Sequence, residues 1–385
     1  MKIRHAKDDE TLNVKEIWNY CFDDGETFVE YYFKDKYKKQ NTIVVEDEGE
    51  IVSSLQLNQY KLNLNSQIYN TSYIVGVSTL PQVRGRGYMK NIMKFTLKEL
   101  YNRNQLVSIL MPIDYRLYRK YGYEHCYDQI EYNVDIEDLK NYKINGKLYK
   151  ANKLNLSELV DISKVFLSGV NGNVERDEKY YQGLFEEVNS ENGHIYIHEN
   201  DESQGYIIYF LNGDTMFIRE LYYKNMDSLK SILKFIYNHN TQCKKVKISA
   251  PVNDKIKFVL ENPKTCEIKV KPFMMGRIIN LKGYLETIRV KSNAEESINI
   301  SIKDDFIEQN NGVFKITLKN NRLSVNQVNE KSHMKLDINT MTQLAFSYID
   351  IKDAIMLNDT KLGKKEISLL NAIFKKKNNY INEYI

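Results

Sequence analysis

The chain has 385 residues, with 55 Lys and Arg against 51 Asp and Glu, a formal net charge of +4 at pH 7. That length predicts two or three domains, and 42% hydrophobic with 28% charged residues is a globular composition. Near-even charge argues against a dedicated nucleic-acid binder, and no apolar run reaches the roughly 18–20 residues that cross a bilayer.

The first 130 residues alternate helix and strand. Residues 3–6 predict a short strand, and 11–21 an amphipathic helix with Leu12, Val14, Ile17, Trp18 and Cys21 near helical spacing. A second helix is expected over 27–37. Strands follow at 42–46 and 51–60, joined by the turn at 47–50, and again at 72–78. A glycine-rich turn at 85–87 leads into a long helix over 88–102. A short apolar strand, 107–111, stops at Pro112; 114–121 predicts a short helix, and strand resumes at 127. This is a mixed α/β, or α+β, pattern.

Residues 145–285 repeat that logic more weakly. Helices are expected at 156–166, 179–185 and 226–238, and strands at 195–197, 205–211, 216–223 and 246–250. The last of these precedes Pro251 as the earlier apolar strand precedes Pro112, which suggests a second copy of one fold. Strands at 297–304, 312–318 and 323–328 followed by helices at 337–348, 350–357 and 366–374 argue for a separate α+β domain. The expected domains are 1–145, 146–285 and 286–385.

Cysteine and histidine offer little chemistry. Cys21, Cys126, Cys243 and Cys266 lack any ligand spacing and read as buried thiols of a reducing cytoplasm. The start of the chain lacks the apolar stretch of a secretory signal, so a cytoplasmic location is expected. His194 and His198 share one strand face without a nearby third ligand, and no metal is expected.

The informative segment is Val75-Gly76-Val77-Ser78-Thr79-Leu80-Pro81-Gln82-Val83-Arg84-Gly85-Arg86-Gly87-Tyr88-Met89. A strand ends, a loop with two glycines and two arginines turns, and a helix begins. Backbone N–H groups at such a junction converge, and the helix dipole adds partial positive charge. Glycine lets a diphosphate approach those amides, and Arg84 and Arg86 add charged donors. An ordinary turn with two solvated arginines is the alternative. No Gly-Lys-Ser/Thr follows, so the loop is not a P-loop, and it lacks the GxGxxG order of a dinucleotide fold.

Gln82-x-x-Gly85-x-Gly87 resembles the Q/R-x-x-G-x-G/A signature of the GNAT acetyltransferases. Thirty residues on, Tyr118-x-x-x-Gly122-Tyr123 resembles their second landmark, although with 29 tyrosines in the chain the match is weak alone. The loop form Val77-x-Thr79-x-Pro81-x-x-Arg84-x-Arg86-Gly87-x-Met89, the Tyr118-Arg119-Lys120-Tyr121-Gly122-Tyr123 segment and Lys271-Pro272-Phe273-Met274-Met275-Gly276-Arg277-Ile278 together resemble the Eis-type (enhanced intracellular survival) N-acetyltransferases along essentially the full length. The resemblance implies tandem GNAT-fold domains followed by a sterol-carrier-protein-like domain, acetyl-CoA as co-substrate, and a homohexamer.

The resemblance further implies a division of labour among the residues. The pyrophosphate of coenzyme A is expected on the amides of Gly85, Arg86, Gly87, Tyr88, Met89 and Lys90. Val77, Ser78 and Thr79 are expected to pair with pantetheine as an added strand. Tyr118 is expected beside the sulfur as general acid, or else it is a core tyrosine. The family's terminal carboxylate acts as base, which here falls on Ile385, although the family usually ends in phenylalanine. After Tyr223 the second copy runs into Lys224-Asn225-Met226-Asp227 with no glycine pair, so it is expected to be structural. The segment 22–28, with Asp23, Asp24 and Glu26, reads either as an acidic rim for an amine or as a solvated helix start.

The expected activity is N-acetylation of a primary amine, an aminoglycoside, polyamine-like compound or protein lysine. The competing expectation is a binder of lipid or another apolar ligand through the helix around 341–346, with a regulatory or vestigial coenzyme A site.

Overall fold

The computed structural model describes residues 1–291 and 295–384. The first third contains β1 (Lys2–His5), α1 (Thr11–Cys21), α2 (Glu26–Tyr31), β2 (Thr42–Asp47), β3 (Glu50–Leu64), β4 (Gln67–Thr79), α3 (Tyr88–Asn102), β5 (Val107–Leu110), α4 (Tyr115–Arg119) and β6 (Glu124–Asp135). Next come β7 (Lys147–Lys150), α5 (Leu156–Leu167), β8 (Asn173–Val174), α6 (Glu178–Ser190), β9 (His194–Asn200), β10 (Glu202–Asn212), β11 (Thr215–Tyr223), α7 (Met226–Tyr237), β12 (Lys245–Ala250), α8 (Ile256–Val259) and β13 (Glu267–Ile278). The rest contains α9 (Leu281–Thr287), β14 (Glu296–Lys303), β15 (Gly312–Lys319), β16 (Arg322–Val328), β17 (Met334–Asp337), α10 (Ile338–Ala345), α11 (Ile351–Leu357) and α12 (Lys364–Ile373).

Apolar periodicity explains the two helices that frame the first domain's sheet. α1 buries Val14, Ile17 and Trp18, and α3 buries Tyr88, Ile92, Met93, Thr96, Leu97 and Leu100, each set one stripe of a 3.6-residue turn. The helix expected over 27–37 is divided. α2 ends at Tyr31, and Tyr32–Lys36 continues as a wider turn in which Tyr37 N–H reaches back to Tyr32 at 2.8 Å.

Thirteen strands form one sheet, in the order β1-β2-β3-β4-β5-β13-β6-β12-β11-β10-β9-β7 with β8 on β3. Sequence reading expects no strand over 271–278, which enters only through the family resemblance. Instead β13 lies between β5 and β6 and is antiparallel to both, with Met275 opposite Leu110 and His125. Its first half is exposed, and its register slips between Pro272 and Met274, so no alternation marks it in the sequence. The strand comes after the second set of helices and completes the first set's sheet. Two parallel pairs, β4 with β5 and β11 with β12, give the sheet its internal repeat.

The third domain is a four-stranded sheet, β16-β15-β14-β17. Its helix α10 is buried at Met341, Leu344 and Ala345, with Phe346 just beyond, and the apolar segment that suggested a ligand is used in packing. A Cβ on Gly276 of β13 would lie 2.7 Å from the Phe346 ring, so glycine is what allows this approach. Arg277, 0% exposed, donates to Asp304 at 2.7 Å and ties the large sheet to the third domain. Removing either partner of such a buried pair costs about 3–5 kcal/mol. Among the described residues, no helix is long and apolar enough to cross a membrane.

Candidate active site

β4 ends in a short turn, Pro81–Val83, that buries Val83, and α3 begins at Tyr88. Gly85 and Gly87 both sit in the left-handed region, at φ +83° and +84°. L-residues adopt that conformation at a cost of about 1–2 kcal/mol each. Gly87 is the N-cap residue of α3, and no side chain caps the helix. Its first amides therefore keep their hydrogen-bonding capacity for an anion. Arg86 and Lys90 are exposed. Arg84 turns back, its Nε donating to the Thr79 carbonyl at 3.0 Å. Tyr88 is buried and donates to Asp47 at 2.5 Å, so its backbone alone serves the loop. Met89 is half-buried.

The edge of β4 opens where β5 leaves it. The parallel register runs through Ser72–Ser108, Tyr73–Ile109 and Ile74–Leu110 and stops, so 75–79 continue without β5. On the other edge β4 bulges against β3. Val75 pairs with Gln56 and Ser78 with Ser54, leaving Gly76 and Val77 opposite Leu55 alone. Gly76 has φ +60°, and a Cβ there would fall 2.1 Å from Gln56 Oε1 and 2.4 Å from the Trp18 ring. Only glycine fits that bend. Ser78 is buried with its hydroxyl on Ser54, 3.1 Å away, and Thr79 Oγ1 meets Ser53 at 3.0 Å. Both side chains turn toward β3, so their backbone alone is left for a ligand.

The opening is a notch of about 130 Å³ lined by Trp18, Asp24, Gly76, Val77, Met111, Tyr118 and Tyr384, among others. Tyr118 is 6% exposed, and burial pushes its phenol up to about 12. It is a protonated donor at any ordinary pH. The neighbouring tyrosines have other tasks: Tyr123 donates to Ser108 at 2.9 Å, and Tyr121 packs edge-on against Phe306. Gly122, at φ +82°, leaves room for the Arg277 guanidinium, which a Cβ would approach to 2.6 Å. The glycine of the second motif is thus explained by the interdomain ion pair.

A larger cavity of about 400 Å³ shares Asp24 and Tyr384 with the notch. Its walls carry Asp24, Glu131, Glu187 and Glu191 against Arg219 and Lys247, and its apolar lining includes Phe28, Phe210 and Phe217. Arg219 is held by Glu187 at 2.6 Å and Glu131 by Lys271 at 2.6 Å. Asp24 accepts from the Trp18 indole at 2.9 Å. Glu191 stands at the solvent-facing side; partial enclosure, then the charges of Glu187 and Asp24, raise its carboxyl above the usual range against the pull of Arg219. Glu187 is matched by Arg219 and Lys36 and Glu131 by Lys271, which leaves Asp24 and Glu191 as the carboxylates that can meet a cation, and the apolar walls suit a carbon skeleton between amines.

Of the residues named from sequence, Ser78 and Thr79 lie on β4 against β3. Val77 and Tyr118 line one notch. The loop residues 84–90 stand at the end of the strand that forms its wall. Ile385 lies outside the described residues, while Tyr384 before it separates the notch from the cavity. Sequence reading missed Gly76, Tyr384 and the acidic side chains of the second domain. Only the Val75-Gly76-Val77 triplet offered a local signal. His198 is a core residue, bonded to Asn145 O at 2.7 Å and Ser228 at 3.0 Å. Among the described residues, no group of three or more His, Cys, Asp or Glu is arranged to hold a metal ion.

Two segments match models of the acetyltransferase (GNAT) domain, residues 2–126 and 172–278, and a third, residues 281–382, matches the sterol carrier protein domain. Two acetyltransferase folds and a carrier-protein fold in one chain define a tandem GNAT acetyltransferase. Two GNAT domains followed by a sterol carrier protein domain is an arrangement consistent with an Eis-type GNAT. Solved structures share the fold along the whole chain. A probable N-acyltransferase from Enterococcus faecalis is 22% identical with TM-score 0.87, covering 100% of this chain and 99% of its own. A GCN5-related N-acetyltransferase from Anabaena variabilis is also 22% identical with TM-score 0.87, covering 100% of both chains. Eis1 from Mycobacterium abscessus is 12% identical with TM-score 0.76, again over 100% of both. No curated protein sequence matches the chain.

Proposed function

We propose that the first domain binds acetyl-CoA and transfers its acetyl group to a primary amine held in the acidic cavity. The observation that carries this reading is the junction of two cavities at Asp24 and Tyr384. One lies along the open edge of β4, suited to pantetheine, and the other carries carboxylates suited to an ammonium ion. The glycine loop fits the diphosphate, since neither a Cβ nor a capping side chain covers its amides.

In this reading the amine nitrogen attacks the thioester carbonyl; a C–N bond forms and the C–S bond breaks. The Tyr118 phenol gives its proton to the departing thiolate. The amine's proton passes to a base, which we assign to the Ile385 carboxylate, one residue beyond Tyr384. The products are an N-acetyl amine and free coenzyme A, and the proton taken up by Ile385 is released to solvent while Tyr118 regains one from it, so the step balances and the enzyme is restored. Acceptors with several amines, aminoglycosides or polyamine-like compounds, suit the cavity better than a lone lysine, because several carboxylates line it.

Calorimetric titration with acetyl-CoA, followed by a thiol-release assay across an amine panel, tests the reading. Release that rises with the number of acceptor amines supports it, and tight coenzyme A binding without release overturns it. Extending the chain beyond Ile385 by one glycine tests the base, with loss of kcat expected. We also propose the domain division 1–145, 146–285 and 286–385, a cytoplasmic location, and a homohexamer, which light scattering measures directly.

A further inference from the structure

In the second domain, β11 and β12 pair in parallel only through Ile218 and Ile248 and then part. Beside the opening β11 is irregular: Glu220 faces Ile208 and Ile218 faces Tyr209, leaving Arg219 out of register. This is the arrangement that β4 and β5 present in the first domain. Here the opening is filled by the chain's own residues 380–384.

Asn382 donates to the Arg219 carbonyl at 2.8 Å and accepts from Gln129 of β6, also at 2.8 Å. Tyr384 places its ring 5.0 Å from the Arg219 guanidinium, and Tyr73 donates to its carbonyl at 2.8 Å. Arg176 stands beneath this segment with its side chain 3% exposed, contacting Glu220 at 2.8 Å and Glu383 at 3.0 Å. Tyr180 gives Glu383 a further hydrogen bond of 2.7 Å.

We propose that the second acetyltransferase fold has become the receptor for residues 380–384, and that Arg176 is the positioning residue through which it sets Tyr384 between the two cavities. Apolar packing would hold a segment as tightly, since a buried ion pair contributes little net stability over apolar residues of similar volume. The Arg176 fork adds direction: it fixes Glu383, and Tyr384 follows it in the chain. Arg176 touches neither cavity's reacting centre and acts through the tail.

The kinetic part rests on the acetyl-transfer reading; the placement of the tail does not. Hydrogen exchange at residues 380–384 and steady-state kinetics are measured on the full chain for the wild type, Arg176→Met, Arg176→Lys and Glu383→Gln. The expected result for Arg176→Met is faster exchange confined to the tail, with kcat at least about tenfold lower, as a small misplacement costs, and KM for acetyl-CoA within about twofold. Arg176→Lys recovers part of kcat. Adding Glu383→Gln to Arg176→Met changes tail exchange little further, because the Arg176–Glu383 contact is already gone.

Unchanged tail exchange in both Arg176→Met and Glu383→Gln overturns the receptor. Faster exchange with unchanged kcat overturns the positioning role. Should the wild type release no thiol, the acetyl-transfer reading falls and hydrogen exchange alone decides the receptor. Should Arg176→Met fail to fold, Glu383→Gln, which retains an oxygen for Tyr180, makes the same comparison.

Discussion

The two acetyltransferase folds of this chain share a scaffold and differ at two points. Each has a parallel strand pair that parts after a few residues and a helix that starts beyond the first of those strands. In the first domain that helix, α3, begins at a left-handed glycine with no capping side chain. In the second, α7 begins at Asn225, whose side chain accepts from Ser228 N–H at 2.8 Å. One helix end is free for a diphosphate, and the other is closed by its own asparagine. The strand openings differ in the same sense, one a notch and the other filled by 380–384. On the proposed function, little sequence separates a cofactor site from a structural one on the same backbone.

The sharpest way to break the comparison is to remove the two left-handed glycines. Gly85→Val with Gly87→Val costs about 2–4 kcal/mol of strain at two positions, and coenzyme A affinity measured by calorimetry should fall by about 30- to 1,000-fold at the matching 1.4 kcal/mol per decade. Tyr118→Phe comes next. Loss of a general acid should lower kcat by about one to three orders of magnitude with coenzyme A binding retained. Because Tyr118 is held up to about 12, the phenol stays protonated below that pH. The wild-type rate profile should show no alkaline limb from Tyr118 below about pH 11.

A smaller effect is expected at Glu191. Its raised carboxyl becomes ionised only above the usual carboxylate range, so KM for an amine should fall as pH rises through that value. Glu191→Gln should flatten this limb and raise KM at neutral pH by about two- to fivefold, the scale of a part-exposed ion pair. The smallest effect serves as the control. Asn225→Ala removes a helix cap worth about 1 kcal/mol; the thermal midpoint should drop slightly and coenzyme A affinity should not move.

Local signals were readable in the sequence where structure is local. α1 and α3 span Thr11–Cys21 and Tyr88–Asn102, the same bounds that apolar periodicity and the flanking turns indicate. The glycine loop and the Tyr118 segment are contiguous motifs, so they too could be read without knowing the fold. β13 could not: Pro272 and a lysine-rich, exposed first half hide it, and its partners β5 and β6 lie more than a hundred residues earlier. The acidic cavity was legible only in part: the segment 22–28 offered Asp24 as a candidate acidic rim, but Glu131 and the Glu187/Glu191 pair come from two further segments that only the fold brings to it. Gly76 shows the same limit. Its need for glycine comes from Trp18 and Gln56, which only the folded sheet brings beside it.

The claim on which the rest depends is that one helix start holds the diphosphate of an acyl carrier and its counterpart does not. The most direct measurement is the calorimetric stoichiometry of coenzyme A on the wild type, the Gly85→Val/Gly87→Val variant and Asn225→Ala. The account predicts a single site per chain, lost in the glycine variant and intact in Asn225→Ala. Two sites per chain, or a site that survives the loss of both glycines, would contradict it.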